Sequence, residues 1–307
     1  MSNTTHNIPS DTLSDYVTLF RGRGDVYGHN EGRCVKEALT TEKFIDHLLG
    51  VEPIGVYPLV PVDGVYMCVW GCSDFDTADA YRHAIALQDA FSAAGIVSWV
   101  EKSRSKGYHV WVFAIGLVTA TDMRNMFLAA HQVAEVPATE VNPKQTTLSK
   151  GQYGNYVRLP YPKYVDDTVT GQRMMASDGT FIPLGDFVEL AMATRVEQSR
   201  IAELASMYQP PVMSTKTLAD YVFDDVNLLE AMAKLSPLGQ VIWRDGPLAG
   251  KDRSSTLARL GHVCVSSGLN PSETKAVLRT ADQRWGKYHL RHDGESEIDK
   301  LVVRVHS

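Results

Sequence analysis

Residues 65–113 limit what this chain can become more than any other stretch. Val65, Tyr66, Met67, Cys68, Val69 and Trp70 form an apolar run rich in strand formers, which predicts a mostly buried β-strand ending near Asp76. Residues at i and i+2 of a strand share a face, so Asp74 and Asp76 are aimed one way and Phe75 the other. A helix is expected over 78–94 with Gly95 as its stop. A strand over 96–100, a polar turn over 101–107 and a second strand over 108–115 follow.

Two carboxylates converging at a strand end repel unless a cation lies between them, and hard oxygen ligands suit Mg²⁺ or Mn²⁺. The competing reading is that Asp76 caps a helix starting at Thr77, with Asp79 in its first turn. The turn Glu101-Lys102-Ser103-Arg104-Ser105-Lys106-Gly107 offers hydroxyls, backbone N–H groups and cationic side chains. Such a set suits the oxygens of a triphosphate, although a Ser/Lys/Gly cluster is also the usual make-up of a solvated hairpin loop. His109 lies just inside the apolar run Val110-Trp111-Val112-Phe113, where an imidazole needs a partner. It is either a satisfied core residue or a phosphate contact.

Asp74-Phe75-Asp76 followed by Ser103-Arg104-Ser105-Lys106-Gly107-Tyr108-His109-Val110-Trp111-Val112-Phe113 resembles the first two motifs of the archaeo-eukaryotic primase superfamily, in particular primase-polymerases of phages, plasmids and mobile elements. The resemblance extends to residues 19–27, 47–50 and 55–59, and to Glu140-Val141-Asn142-Pro143-Lys144-Gln145 and Gly154-Asn155-Tyr156-Val157-Arg158-Leu159-Pro160. It implies an α+β, primase-type (RRM-like) catalytic domain with a mixed or antiparallel sheet and flanking helices. It further implies a DNA primase and DNA-directed polymerase, a nucleotidyltransferase working through two divalent ions. Asp74, Asp76 and Glu140 would be the catalytic metal ligands, Glu140 standing where an aspartate is usual. Ser103, Arg104, Ser105, Lys106 and His109 would bind the nucleotide, joined by Lys144 and Arg158. The interval from Ser105 to His109 is one residue longer than in the tersest family versions, so either serine can be the phosphate ligand. Implied partners are nucleoside triphosphates, a single-stranded DNA template and a replicative helicase. A metal-dependent nuclease, or a catalytically silent replication-initiator or single-strand-binding module, would share part of this pattern.

A chain of 307 residues, 44% apolar, has enough apolar matter for one large or two ordinary domains. No 18-residue apolar run and no basic-then-apolar leader is seen, so a soluble, cytoplasmic protein is expected. Cys34, Cys68, Cys72 and Cys264 fit no zinc spacing and read as reduced thiols. The net charge of −6 is uneven: residues 241–307 carry +3 and the rest −9. That distribution fits weak, transient DNA contact and argues against a tight, sequence-independent duplex binder.

Residues 1–12 should fray, and 21–30 should be too glycine-rich for a regular element, with arginines that either cover a template or nucleotide or sit in a surface loop. An amphipathic helix is expected over 122–133 through Met123, Met126, Phe127 and Ala130. Arg158, in an apolar strand, calls for a partner: a phosphate, Glu140 or a structural ion pair. Turn signals at Thr170-Gly171 and Asp178-Gly179 suggest a hairpin connector over 166–183, and a single helix is expected over 187–208. These signals divide the chain into a catalytic domain, 1–209, a linker, 209–217, and a helical primase-associated domain, 218–307. Helices are expected there over 218–235, 254–267, 271–285 and 295–305, with a turn at Gly250-Lys251-Asp252-Arg253-Ser254-Ser255 that is either a phosphate site or a solvated cap.

Overall fold

The computed structural model describes residues 8–166, 168, 171–210, 221–247, 252–285 and 287–307. The chain divides into two compact units, Met1–Gln209 and Pro210–Ser307. The first runs α1 (Ser10–Leu19), β1 (Tyr27–His29), β2 (Cys34–Val35), α2 (Thr41–Leu49), β3 (Ile54–Val56), β4 (Val60–Val62), β5 (Val65–Phe75), α3 (Ala80–Ala93), β6 (Trp99–Lys102), β7 (Tyr108–Thr119), α4 (Ala120–Ala134), β8 (Glu140–Asn142), β9 (Val157–Arg158), β10 (Arg173–Met175), α5 (Leu184–Ala193) and α6 (Gln198–Ser206). The second is all helical: α7 (Leu228–Lys234), α8 (Pro237–Asp245), α9 (Arg253–Ser266), α10 (Pro271–Trp285) and α11 (Gly294–His306).

The apolar run predicted from Val65 is the axis of the first unit. β5 lies inside a sheet of order β10-β6-β7-β5-β4, and β8 pairs with the far end of β5 on the β4 side. A smaller sheet has the order β2-β1-β3-β9, and the ladders of both sheets are antiparallel. Both faces of β5 are covered, which is why its sequence is continuously apolar rather than alternating. Phe75, Val110 and Val112 join Leu87, Phe91, Met126, Phe127 and Ile201 of α3, α4 and α6 in one core. Trp70, Cys72, Trp111 and Phe113 join Tyr16 of α1, Phe20 just after it and Phe187 of α5 in the other. Phe20 meets Trp111 and Phe113 edge-on at 5.3 and 5.2 Å. Burying a side chain of this size contributes about 1.5–3 kcal/mol. Gly71 lets α4 lie close: a Cβ there would come within 2.9 Å of Met123.

Several predicted boundaries move. β5 reaches Phe75 and leaves Asp76 just beyond it. α3 starts at Ala80 with Asp79 in the cap position, so Asp76 caps no helix. Strand β6 runs to Lys102, because Glu101 and Lys102 pair with His109 and Tyr108; the polar turn is therefore shorter, closed by Ser103 N–H donating to Gly107 O at 3.0 Å. β7 continues to Thr119, whose hydroxyl accepts from Asp122 N–H and starts α4. Residues 27–29, expected to be irregular, form β1 despite Gly28, because the ring of Tyr156 fills the space a side chain would take. The single helix expected over 187–208 is two, broken where Val196 bonds to Phe113 and Ile115 of β7.

In the hairpin connector, Thr170 lies outside the described residues; at Asp178-Gly179 the turn forms, with Ala176 N–H donating to Thr180 O at 2.9 Å. Residues 211–217 of the expected linker, 218–220 of the following helix and 1–7 of the N-terminus are likewise outside. Of the helix expected over 218–235, the described residues form Leu228–Lys234, started by Asn227 accepting from Leu229 N–H. The sequence reading missed α8, which begins at Pro237 under a Ser236 cap. Gly250 and Lys251 lie outside the described residues, but Asp252 accepts from Ser255 N–H at 2.9 Å. A carboxylate already occupies that helix start, which makes it a cap and not a phosphate site. Among the described residues, no helix is long and apolar enough to cross a membrane.

Candidate active site

Opposed residues of an antiparallel ladder point to the same face. In the large sheet Asp74 faces Glu140 on β8 and His109 on β7, and His109 faces Glu101 on β6. The registers therefore set Glu140, Asp74, His109 and Glu101 in a row across four strands. The next row inward, Asn142, Cys72, Trp111 and Trp99, is buried or nearly so and forms its floor.

Above these rows opens a cleft of about 410 Å³. Asp74, Asp76, Ser103, Arg104, Ser105, His109, Glu140 and Arg158 all line it, so eight of the ten predicted site residues come together. Lys106 and Lys144 are exposed and outside its walls; Lys144 reaches back to Glu140 at 3.4 Å. Asp76 and the turn are in close approach. A Cβ on Gly107 would lie against Asp76 Oδ1, 2.7 Å from Phe75 O and 3.1 Å from Ser103 Oγ.

His109 sits between two carboxylates of the row. Burial works against its charged form, but Glu101 and Asp74 outweigh it and hold the pKa up to about 10, so the ring is an imidazolium at neutral pH. Nδ1–H donates to Glu101 Oε2 at 2.8 Å, and Nε2 stands 3.6 Å from Asp74 Oδ1. Arg158 Nη2–H donates to Asn30 O at 3.2 Å, and Arg104 Nη1–H to Asn30 Oδ1 at 3.1 Å. Among the described residues no carboxylate lies within ion-pair distance of Arg158, so the structural ion pair with Glu140 is not formed. Arg21 and Arg23 do not line the cleft: Arg23 pairs with Asp25 at 2.6 Å and lies 4.7 Å over the Tyr153 ring.

Among the described residues no group of three His, Cys, Asp or Glu side chains is arranged as a ready metal cage. The donors present nevertheless fit a hard divalent cation. Asp74 Oδ1 is buried without a hydrogen-bond partner and faces the Glu140 carboxylate across the ladder. Mg²⁺ is commonly held by one or two carboxylates, with substrate phosphates and water completing its shell.

The sequence reading missed Glu101, Asn142 and Gln172. Glu101 was assigned to the turn, yet it is fully buried. The available signal was its spacing: it is two residues from Trp99 on a strand that the pattern allows to continue. Asn142 is buried with Oδ1 unpartnered, and Gln172, held by its Nε2–H donating to Leu159 O at 3.1 Å, closes the cleft from the loop before β10. Neither residue carried a signal.

Residues 29–203 match the family model described as "TOTE conflict system, Archaeo-Eukaryotic Primase domain". No curated protein sequence matches the chain. Among solved structures, the crystal structure of primase RepB′ is similar over 95% of this chain and 93% of its own, at 14% identity and a TM-score of 0.29. The family match spans more than half of the sequence and contains every residue of the row, and the chain belongs to the archaeo-eukaryotic primases, in the TOTE conflict-system family.

Proposed function

We propose that the protein is a DNA primase-polymerase that joins nucleoside triphosphates on a single-stranded DNA template with release of pyrophosphate. The family is one of primase-type nucleotidyltransferases. The observation that carries the finer reading is the Glu140–Asp74–His109 row set beside the Ser103–Gly107 turn. Two opposed carboxylates and a fixed imidazolium with a hydroxyl-rich cationic turn is the combination a metal-bound triphosphate requires, and a nuclease has no use for the second half of it.

Asp74 and Glu140, with Asp76 at the strand end, would hold Mg²⁺ or Mn²⁺. The ions would supply charge neutralisation on the phosphates and activation of the attacking hydroxyl. Ser103 and Ser105 offer hydroxyl donors to phosphate oxygens, and Arg104 of the same turn and Arg158 of β9 offer guanidinium forks. His109, charged throughout the neutral range, donates from Nε2 and so favours the state in which charge moves towards pyrophosphate. Lys106 and Lys144, outside the cleft walls, act as exposed charges that draw the nucleotide in.

The test is incorporation of labelled ribo- and deoxynucleotides on single-stranded DNA, with and without primer, in Mg²⁺ or Mn²⁺. Template-dependent products that vanish in Asp74→Ala are expected. Degradation of the DNA without incorporation would make the protein a nuclease, and binding of DNA without either reaction would make it a silent module.

A further inference from the structure

Glu101 belongs to no predicted site, yet it is the most enclosed charged side chain of the row. On β6 it is 0% exposed. Its Oε2 accepts from two ring donors, His109 Nδ1–H at 2.8 Å and Trp111 Nε1–H at 2.7 Å. Its Oε1 is buried with no partner. A buried carboxylate with an unsatisfied oxygen costs stability that an apolar residue of the same size would avoid. Packing alone therefore gives no reason for it.

The geometry points to Glu101 as a positioning residue: it fixes the His109 ring so that the Nε2 edge, and not the Nδ1 edge, is presented to an anionic ligand in the cleft. The second bond, from Trp111, holds the carboxylate itself, and Trp111 is locked by Phe20 and by Trp70, whose ring centroid is 5.3 Å away. A carboxylate held at one edge of an imidazole decides which nitrogen the other edge offers. With Nδ1 committed to Glu101, only the Nε2 edge is left for the cleft. Its 3.6 Å separation from Asp74 Oδ1 is an ion-pair contact longer than a hydrogen bond. A ligand oxygen arriving between Ser103, Ser105 and His109 would meet that edge. This assignment deepens the proposed function and rests on it for the identity of the anion, which we take to be a triphosphate group.

The test compares wild type with Glu101→Gln and Glu101→Ala in the full chain, each first checked for a cooperative thermal melt. Glu101→Gln keeps the side chain's shape but offers the two ring donors one neutral oxygen in place of the carboxylate, and serves if the alanine variant does not fold. Two measurements follow: the ¹H–¹⁵N correlations of the His109 ring nitrogens, and titration with inorganic tripolyphosphate followed by the same resonances. In the wild type the Nδ1–H should be protected and the Nε2 resonance should move on titration. In Glu101→Gln the Nδ1 protection should fall and tripolyphosphate should bind about 10- to 100-fold more weakly, the usual cost of losing an orienting partner. The KM for nucleotide should rise more than kcat falls. A folded Glu101→Gln with unchanged ring resonances and equal tripolyphosphate affinity would overturn the assignment while leaving the proposed function standing. Wild-type protein that incorporates no nucleotide would overturn the function, whatever the ring resonances show.

Discussion

Gly107→Ala tests how closely the turn and the carboxylate strand are fitted. The added methyl would press on Asp76 Oδ1, lie 2.7 Å from the backbone oxygen of Phe75 and 3.1 Å from Ser103 Oγ. A backbone oxygen at the end of a doubly covered strand cannot swing aside as a side chain can, so the turn must move. Overpacking of this kind costs about 1–3 kcal/mol. Gly107 is not in the left-handed region, so alanine adds no backbone strain; it recovers about 0.4–1 kcal/mol by restricting the unfolded chain. The net loss is then about 1–2 kcal/mol, or a fall in Tm of roughly 2–8 °C for a unit of this size. Displacement of the turn by even about 1 Å should lower nucleotide incorporation on the order of 100-fold. Gly116→Ala is the control, since its Cβ would meet nothing within 4 Å. Urea denaturation and primer extension measure the two effects. If Gly107→Ala matches Gly116→Ala in both, the turn does not abut Asp76 and the composite site is wrong.

Asp74→Ala should abolish incorporation while the melt stays near wild type, because the lost attraction to His109 is offset by relief of the repulsion from Glu140; near-normal polymerisation would contradict the role of Asp74. His109→Ala should cost about 3–5 kcal/mol, since it leaves the Glu101 carboxylate buried without its cation. Adding Glu101→Gln to that variant should restore most of the loss, and equal urea midpoints for wild type and His109→Ala would show the pair to be uncharged. The pH dependence follows from the direction of the His109 shift. A folded pKa raised from 6.5 to about 10 makes the pair's contribution complete below about pH 6.5 and progressively lost as the pH rises to 10. The urea-midpoint gap between wild type and Glu101→Gln should therefore narrow between pH 7 and pH 10, and a constant gap would contradict it. A chain ending at Gln209, the boundary of the first compact unit, should still extend an annealed primer but lose most primer-free initiation. Equal loss of both activities in a folded truncation would show that the helical unit completes the catalytic site.

What could be read in the sequence was what rests on local pattern. Asp74 and His109 were recognisable because a carboxylate and an imidazole interrupt otherwise apolar strands, and α10 was recognisable from Asn270-Pro271 and its apolar stripe. What could not be read depends on pairing. Glu101 looks like the start of a turn until β6 is seen to pair with β7 as far as Lys102. Asn142 and Gln172 have no signal of their own, being placed by partners 70 residues away on β5 and by the loop over β6. The break between α5 and α6 arises from a bond to β7 that overrides a continuous helical pattern. The short α7 reflects an Asn227 cap with no periodic signature.

The bulge in β5 shows why alternation alone could not orient the site. Between Cys68 and Trp70 the register with β7 shifts, from Cys68 opposite Val118 to Trp70 opposite Phe113. In an unbroken strand residues 68, 70, 72 and 74 would share one face. Here Cys68 packs among the helices of one core, whereas Val69, Trp70 and Cys72 belong to the other. The bulge thus turns the second half of β5 over, so that Asp74 opens onto the cleft and Phe75 goes to the helical side. A slip of one residue beyond the bulge would bury Asp74 among Leu87, Phe91 and Met126 and put Phe75 in place of the carboxylate. Trp70 and Phe75, both large and buried on opposite faces, make that slip costly by several kcal/mol on the order of two displaced aromatic side chains. The aromatic core therefore does more than stabilise the sheet: it fixes which side chain stands at the strand end, facing the cleft.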